Sequence, residues 1–227
     1  MAQLDLSERE FAEALDSRSS MPVYDIMKRA RVGIAGLGGL GSNIAAALAR
    51  AGVGRIVAAD FDTVELSNIN RQMYTLRHIG MKKTEAMAQI IAEINPFCDF
   101  EAHDIRVTAD NISELFGDCD IICEAFDVAE QKAMLVNAVL EKYPQKYLVC
   151  GSGMAGRGRA NEITTRRITD RFFICGDGVT DVADGGARDD MRGASGKQDN
   201  RDNFERCVIS WKINLYWQAE SSAPASF

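Results

Sequence analysis

"RVGIAGLGGLGSNIAAALARAGVGRIVAAD" occupies residues 31–60, and its reading decides the fold. The apolar run "ARVGIAG" predicts a buried strand that ends at Gly36. Gly36-x-Gly38-Gly39-x-Gly41 follows without a break. Glycines let a backbone approach phosphate, which a side chain would prevent. The small residues from Ser42 to Ala51 then predict a helix closed by Gly52. A helix that starts beside the glycines aims amide N–H groups and the positive end of its dipole at an anion. "GRIVAAD" predicts a second strand, and Asp60 at its end lies 19 residues beyond Gly41. A carboxylate at that spacing can accept hydrogen bonds from ribose hydroxyls. Strand, glycine loop, helix, strand and acidic residue together predict a nucleotide site. They do not separate NAD from ATP.

The alternation continues outward. "SEREFAEALDS", residues 7–17, places Phe11, Ala12 and Leu15 on one face, with Ser7 and Glu10 at capping-box spacing, and predicts a short helix. Downstream, "MKKTEAMAQIIAEIN" predicts a helix stopped before Pro96. "CDFEAHDI", "DIICEAF" and "KYLVCGSG" read as strands, with "NISELFG" and "EQKAMLVNAVLEKY" as the helices between them. This order predicts an α/β fold: a doubly wound, mostly parallel Rossmann-like sheet with helices on both faces. After Gly151 the pattern changes. "GMAGRGRA" reads as a loop, and "NEITTRRIT" and "RFFICGD" as an antiparallel C-terminal extension. The expected division is an N-terminal helical arm at 1–24, a nucleotide-binding domain at 25–184 and a divergent tail at 185–227.

Hydrophobic residues make up 46% and charged residues 26%, the balance of a soluble globular protein. A net charge of −7 argues against nucleic-acid or membrane-surface partners, which select basic faces. No secretory signal and no membrane-length apolar run is seen, so a cytoplasmic location is expected. The six cysteines, at 98, 119, 123, 150, 175 and 207, include no C-x-x-C pair. Reduced, buried thiols and no structural zinc are expected. His78 and His103 stand alone and read as packed or solvated side chains rather than ligands.

The residues after Asp60 carry the chemistry. "DFDTVELSNINRQ" at 60–72, "GLGGLGSN" at 36–43, "IGMKKTEA" at 79–86 and "EAFD" at 124–127 resemble the ThiF/MoeB/HesA group of ubiquitin-activating-enzyme-like adenylyltransferases. The resemblance runs from about residue 8 to about residue 184. "EAFD" and "GSGMAGRGRANEITTRRI" look most like ThiF-type proteins linked to thiamine biosynthesis. The resemblance implies ATP and Mg2+, a homodimer, and a small ubiquitin-like sulfur carrier ending in Gly-Gly. The carrier's terminal carboxylate would attack the α-phosphate, giving an acyl-adenylate and pyrophosphate.

Physics assigns the polar residues matching work. An anion attacking a polyanion needs charge cancelled and atoms aligned. Arg71 offers a planar fork to phosphate oxygens. Asn68 and Gln72 add neutral donors. Lys83 corresponds to the phosphate-binding lysine that the resemblance implies, while Lys82 reads as solvated. Asp127 follows a strand at the carboxyl edge, where a carboxylate repels phosphate unless a cation intervenes, so it reads as an Mg2+ ligand. Its alternative is a helix N-cap. Asp62 reads as the maker of an Asx turn. The resemblance also implies an N-terminal arginine that reaches the partner's ATP. Arg18 has that place, with Arg9 as the alternative and solvated charges as the plain reading of both. "GRGR" at 156–159 and Arg166-Arg167 read as solvated, or as steering an acidic carrier.

Two departures stand out. The loop from Gly176 to Asp190 carries no cysteine and Cys175 ends an apolar run, so covalent thiol catalysis is not expected. Where the family resembles "GLMAPRV" and then "CAAHQAN", this chain reads "GGARDDMRGASGKQDNRDN". Permitted codons read one base on can give a stretch close to the family helix, which suggests a frameshift near 184–188, with an authentic divergent tail as the alternative. Two other functions stay open at this point. An NAD-dependent oxidoreductase explains Gly36 to Asp60 but gives Arg71, Lys83 and Asp127 no task. A non-catalytic nucleotide-binding partner subunit would bind without turnover.

Overall fold

The computed structural model describes residues 6–17, 22–152 and 164–176. Arg18, the 156–159 arginines, the loop after Gly176 and the tail from 185 lie outside these described residues, as do the expectations placed on them. In chain order the elements are α1 (Glu8–Asp16), α2 (Tyr24–Lys28), β1 (Arg31–Ala35), α3 (Gly41–Arg50), β2 (Arg55–Asp60), α4 (Lys83–Ile94) and β3 (Asp99–Asp104). There follow α5 (Ile112–Phe116), β4 (Ile121–Glu124), α6 (Ala129–Lys142), β5 (Tyr147–Gly151), β6 (Thr164–Arg167) and β7 (Phe172–Gly176).

Among the described residues seven strands form one sheet in the order β3-β2-β1-β4-β5-β7-β6. Every pairing is parallel except β6 with β7. The chain winds outward from β1 to β3, then returns to the other side of β1 with β4. That reversal opens a crevice at the carboxyl ends of β1 and β4, where ligands of such sheets bind. The C-terminal extension is antiparallel, β6 against β7, as its pattern predicts. β7 in turn joins β5 in parallel, Cys150 beside Ile174.

The sheet is covered on both faces. Val32 and Ile34 of β1 pack with Ile44 and Leu48 of α3 and Met87 and Ile91 of α4. Ala35 and Ile122 pack on the other face with Ile112 and Phe116 of α5 and Leu135 and Val139 of α6. Gly33 permits that second layer, because a Cβ there would stand 2.7 Å from the Phe116 ring. The capping box of α1 forms as its spacing predicts, with Ser7 Oγ accepting from the Glu10 amide at 3.3 Å. Helix α2 and two 3-10 turns, Leu66–Asn68 and Leu76–His78, are additions to the sequence reading.

Candidate nucleotide site

The four glycines of the first loop have two different reasons for being glycine. Gly36 has a φ of +96°, and its amide donates to the Ala59 carbonyl at 2.9 Å. A Cβ on Gly41 would lie 1.8 Å from the Gly36 carbonyl oxygen, so the loop closes only with hydrogen there. Gly38 is unlike them: a Cβ would meet nothing within 4 Å. At Gly39 it would meet only the Arg71 stem, at 3.9 Å. Nothing among the described residues requires glycine at 38 and 39, but a ligand approaching the backbone would. These residues lead directly into α3, whose first residues lack a side-chain cap. The Ser42 amide is already spent on the Gly38 carbonyl at 3.1 Å, but the dipole and the amides before it face an anion with no side-chain cap in the way.

A second set of bonds stitches this loop to the segment after β2. Ser42 Oγ donates to the Gly38 carbonyl at 2.7 Å and accepts from the Met73 amide at 3.2 Å. Asn43 Nδ2 donates to the carbonyls of Gly39 at 2.6 Å and Arg71 at 3.1 Å. The buried Tyr74 hydroxyl donates to the Leu37 carbonyl at 2.9 Å. Ser42, Asn43 and Tyr74 escaped the sequence reading as site builders. Their partners lie about 30 residues away, although Ser42 and Asn43 stand inside the quoted loop motif.

Asp60 closes the loop from the other side. Its Oδ2 accepts from the Leu37 amide at 2.7 Å and its Oδ1 from the Asp62 amide at 2.8 Å. The Asx turn thus belongs to Asp60 rather than Asp62. The Asp62 carboxylate instead pairs with Lys83 Nζ at 2.7 Å, with Asp60 Oδ2 3.9 Å from the same nitrogen. Lys83 is only 6% exposed, so its charge is held in place before any ligand arrives. Asn68 Oδ1 accepts from the Glu65 amide at 3.0 Å, which fixes the first 3-10 turn. Gln72 is buried, and its Oε1 finds no partner among the described residues. Arg71 is exposed and donates to the Ser67 carbonyl at 2.7 Å.

The turn from β4 to α6 forms the opposite wall. Ala125 and the Phe126 ring stand 3.1 and 3.3 Å from where a Gly36 Cβ would be. Asp127 is exposed, and α6 takes Val128 as its N-cap residue with no side-chain bond, so the capping alternative for Asp127 is not realised. One exposed carboxylate suits Mg2+, which takes its remaining oxygens from phosphate and water. Among the described residues no three His, Cys, Asp or Glu side chains gather as a metal-binding group. Behind the turn, burial raises the pKa of Glu124 while Lys132 opposes the shift.

Cys175 is fully buried and lies 3.5 Å from Thr165 Oγ1. Burial pushes the Cys119 thiol up to about 12 and raises Cys150 as well, so neither forms a ready nucleophile. Arg9 lies on the outer side of α1, paired with Glu13 at 2.8 Å. Arg166 and Arg167 are exposed on the edge strand β6.

Comparison with known proteins agrees with this geometry. Residues 14–209 match the profile of the ThiF family. The chain is 37% identical over 135 residues to the adenylyltransferase and sulfurtransferase MOCS3 of Aedes aegypti, covering 59% of this chain and 30% of that protein. It is 39% identical over 109 residues to the tRNA threonylcarbamoyladenosine dehydratase of Escherichia coli, covering 47% and 41%. The chain therefore spans less than half the length of these curated relatives. Its fold matches the crystal structure of the E. coli dehydratase in complex with ATP with a TM-score of 0.78 at 23% identity, covering 96% of this chain and 99% of that one.

Proposed function

Because the chain belongs to the ThiF family, we propose that it uses ATP to adenylylate the C-terminal glycine of a small ubiquitin-like sulfur carrier protein of the thiamine-pathway type. The observation that carries this reading is the open backbone at Gly38 and Gly39, beside the Arg71 stem and at the uncapped start of α3. The reaction joins a carboxylate oxygen of the carrier to the α-phosphorus and breaks the bond to the β-phosphate, so pyrophosphate leaves with the electron pair.

The side chains divide the labour. Gly38, Gly39 and the first amides of α3 receive phosphate oxygens at close range. Arg71 adds a fork of donors from above Gly39. Lys83 offers a fixed charge already balanced by Asp62, so approaching phosphate competes with a carboxylate instead of ordering a loose side chain. Asp60 retains acceptor capacity on both oxygens for ribose, since a carboxylate has about four lone-pair sites. Asn68 and Gln72 complete the polar wall. Asp127 would hold Mg2+, which supplies charge neutralisation and alignment of the phosphates when bound. Arg18 would reach the partner's site in a homodimer.

The matched dehydratase acts, by its name, on a tRNA nucleoside. A net charge of −7 disfavours a polyanion of that size, so the protein carrier is the preferred carboxylate. The test is exchange of labelled pyrophosphate into ATP with a Gly-Gly carrier, a carrier lacking the last glycine, and tRNA. Exchange with the first alone supports the proposal. Exchange that persists with the truncated carrier, or that requires tRNA, overturns it.

A further inference from the structure

We infer that Glu124 and Lys132 form a clamp that positions the Asp127 turn, an inference that rests on the reading of Asp127 as the metal-holding carboxylate. Glu124 is the last residue of β4, level with Ala35 on β1 and Cys150 on β5, and is 1% exposed. Lys132 is in the first turn of α6. Its ammonium donates to Glu124 Oε1 at 3.0 Å, to Oε2 at 2.9 Å and to the Gly151 carbonyl at 3.0 Å. Three N–H groups thus meet three acceptors. Glu124 Oε1 also accepts from the Phe126 amide at 2.7 Å.

The turn is therefore closed twice, once at its start through Phe126 and once at its end through Lys132. Asp127 stands between the two closures. The same turn backs the glycine loop through Ala125 and Phe126. Through Gly151 the clamp also ties the end of β5 to this edge. A buried ion pair is a poor device for stability alone, because apolar residues of similar volume often serve as well or better. What the ions add is direction: two carboxylate oxygens, one amide and one carbonyl fix the path of the four turn residues 125–128. Glu124 and Lys132 are positioning residues, with no contact to reacting atoms required of them.

The test uses the full chain with Glu124→Leu/Lys132→Met, and with the conservative Lys132→Arg. Three quantities are read: the melting temperature, hydrogen exchange of the 125–128 amides without nucleotide, and ATP affinity by calorimetry with Mg2+ and with EDTA. The clamp predicts that the double variant melts within a few degrees of wild type. Its turn amides exchange faster, and the gain in ATP affinity on adding Mg2+ shrinks about tenfold, as for other residues that orient metal ligands. Affinity in EDTA stays put, and Lys132→Arg keeps the gain. A double variant that retains the full Mg2+ gain overturns the clamp, as does one that loses EDTA and Mg2+ affinity alike. If the double variant does not fold, Glu124→Gln/Lys132→Met, which removes both charges at nearly constant volume and leaves no buried carboxylate unpaired, is read by the same criteria. A wild type with no Mg2+ gain sinks the Asp127 reading and the clamp with it. That outcome is distinct from a gain present in wild type and unchanged in the variant.

Discussion

From the end of β2 to the start of α4, Asp60, Asp62 and Lys83 turn toward one another, whereas after β4 the charge at the edge of the crevice faces outward. Asp60, Asn68, Gln72 and Lys83 are all buried, and Asp60, Asp62 and Lys83 form one connected set. Asp127 and Val128 are exposed, and no side chain caps the helix behind them. The contrast separates two ways of holding charge for a ligand. The first segment is organised in advance, so its residues serve the fold and the site together. The second turn presents its carboxylate freely and leaves orientation to the pair behind it. Substitutions in the first region should then lower stability and activity together, and those in the second should separate them.

Gly41→Ala tests the closed side most severely. Its methyl would meet the Gly36 carbonyl oxygen at 1.8 Å, and backbone cannot yield as a side-chain tip can. The expected loss exceeds about 3 kcal/mol, which lowers Tm by roughly 6–12 °C in a protein of this size. Gly38→Ala is the control, since its methyl meets nothing. Its Tm should stay within about 2 °C of wild type, while calorimetry should show ATP affinity reduced at least tenfold. Equal melting losses in the two variants would break the distinction between a glycine that closes the loop and one that admits phosphate.

Lys83→Met comes next. It keeps the length of the side chain and removes the charge between Asp60 and Asp62. Breaking a buried pair costs about 3–5 kcal/mol, but the Asp62 side chain is about half exposed, so about 2 kcal/mol is expected by denaturant titration. Adding Asp62→Asn should recover part of that stability and none of the pyrophosphate exchange. Recovery of both would reduce Lys83 to a structural residue.

A smaller effect distinguishes the closed segment by pH. His78 is fully buried in its second 3-10 turn, and its Nδ1 accepts from the Thr75 amide at 3.0 Å. Burial lowers its pKa below the ordinary 6.5. The unfolded chain then takes up a proton that the folded chain refuses. The contribution of His78 is present above pH 6.5 and fades as pH falls toward the lower folded value. The slope reaches at most about 1.4 kcal/mol per pH unit. Denaturation midpoints from pH 7 to 5 should fall more steeply for wild type than for His78→Asn, and parallel curves would remove the assignment.

Much of this contrast was legible in the sequence, and the remainder has physical reasons for being hidden. β1, α3 and β2 announce themselves through apolar runs, a glycine loop and a chain of small residues. Helix α2 does not, because Tyr24–Lys28 is five residues long and shows barely one turn of period. The parallel docking of β7 on β5 depends on the path of a connection, which strand patterns do not record. Asp60, Lys83 and Asp127 stand out in the sequence by type and place. Their partners do not, since Lys83 meets Asp62 across 21 residues and Glu124 meets Lys132 across eight. The sequence reading places the Asx turn on Asp62, and both aspartates in "DFD" satisfy the same local rule. Only the folded geometry shows which carboxylate turns inward to the amide and which turns to the lysine.

The smallest expected effect on the fold is also the sharpest test of the comparison. Asp127→Asn keeps the size of the side chain and removes its charge. The residue is exposed and does not cap α6, so stability should change by less than about 0.5 kcal/mol. If Asp127 holds Mg2+ against the phosphates, pyrophosphate exchange should nevertheless fall by about 10²–10³, the scale for loss of one group that stabilises transition-state charge. Raising Mg2+ should not restore it fully, because an amide oxygen is a weaker ligand than a carboxylate. A variant with wild-type melting and wild-type exchange would show that the outward-facing carboxylate has no part in the chemistry. A variant that melts many degrees lower would show that this turn, like the segment after β2, carries the fold as well as the site.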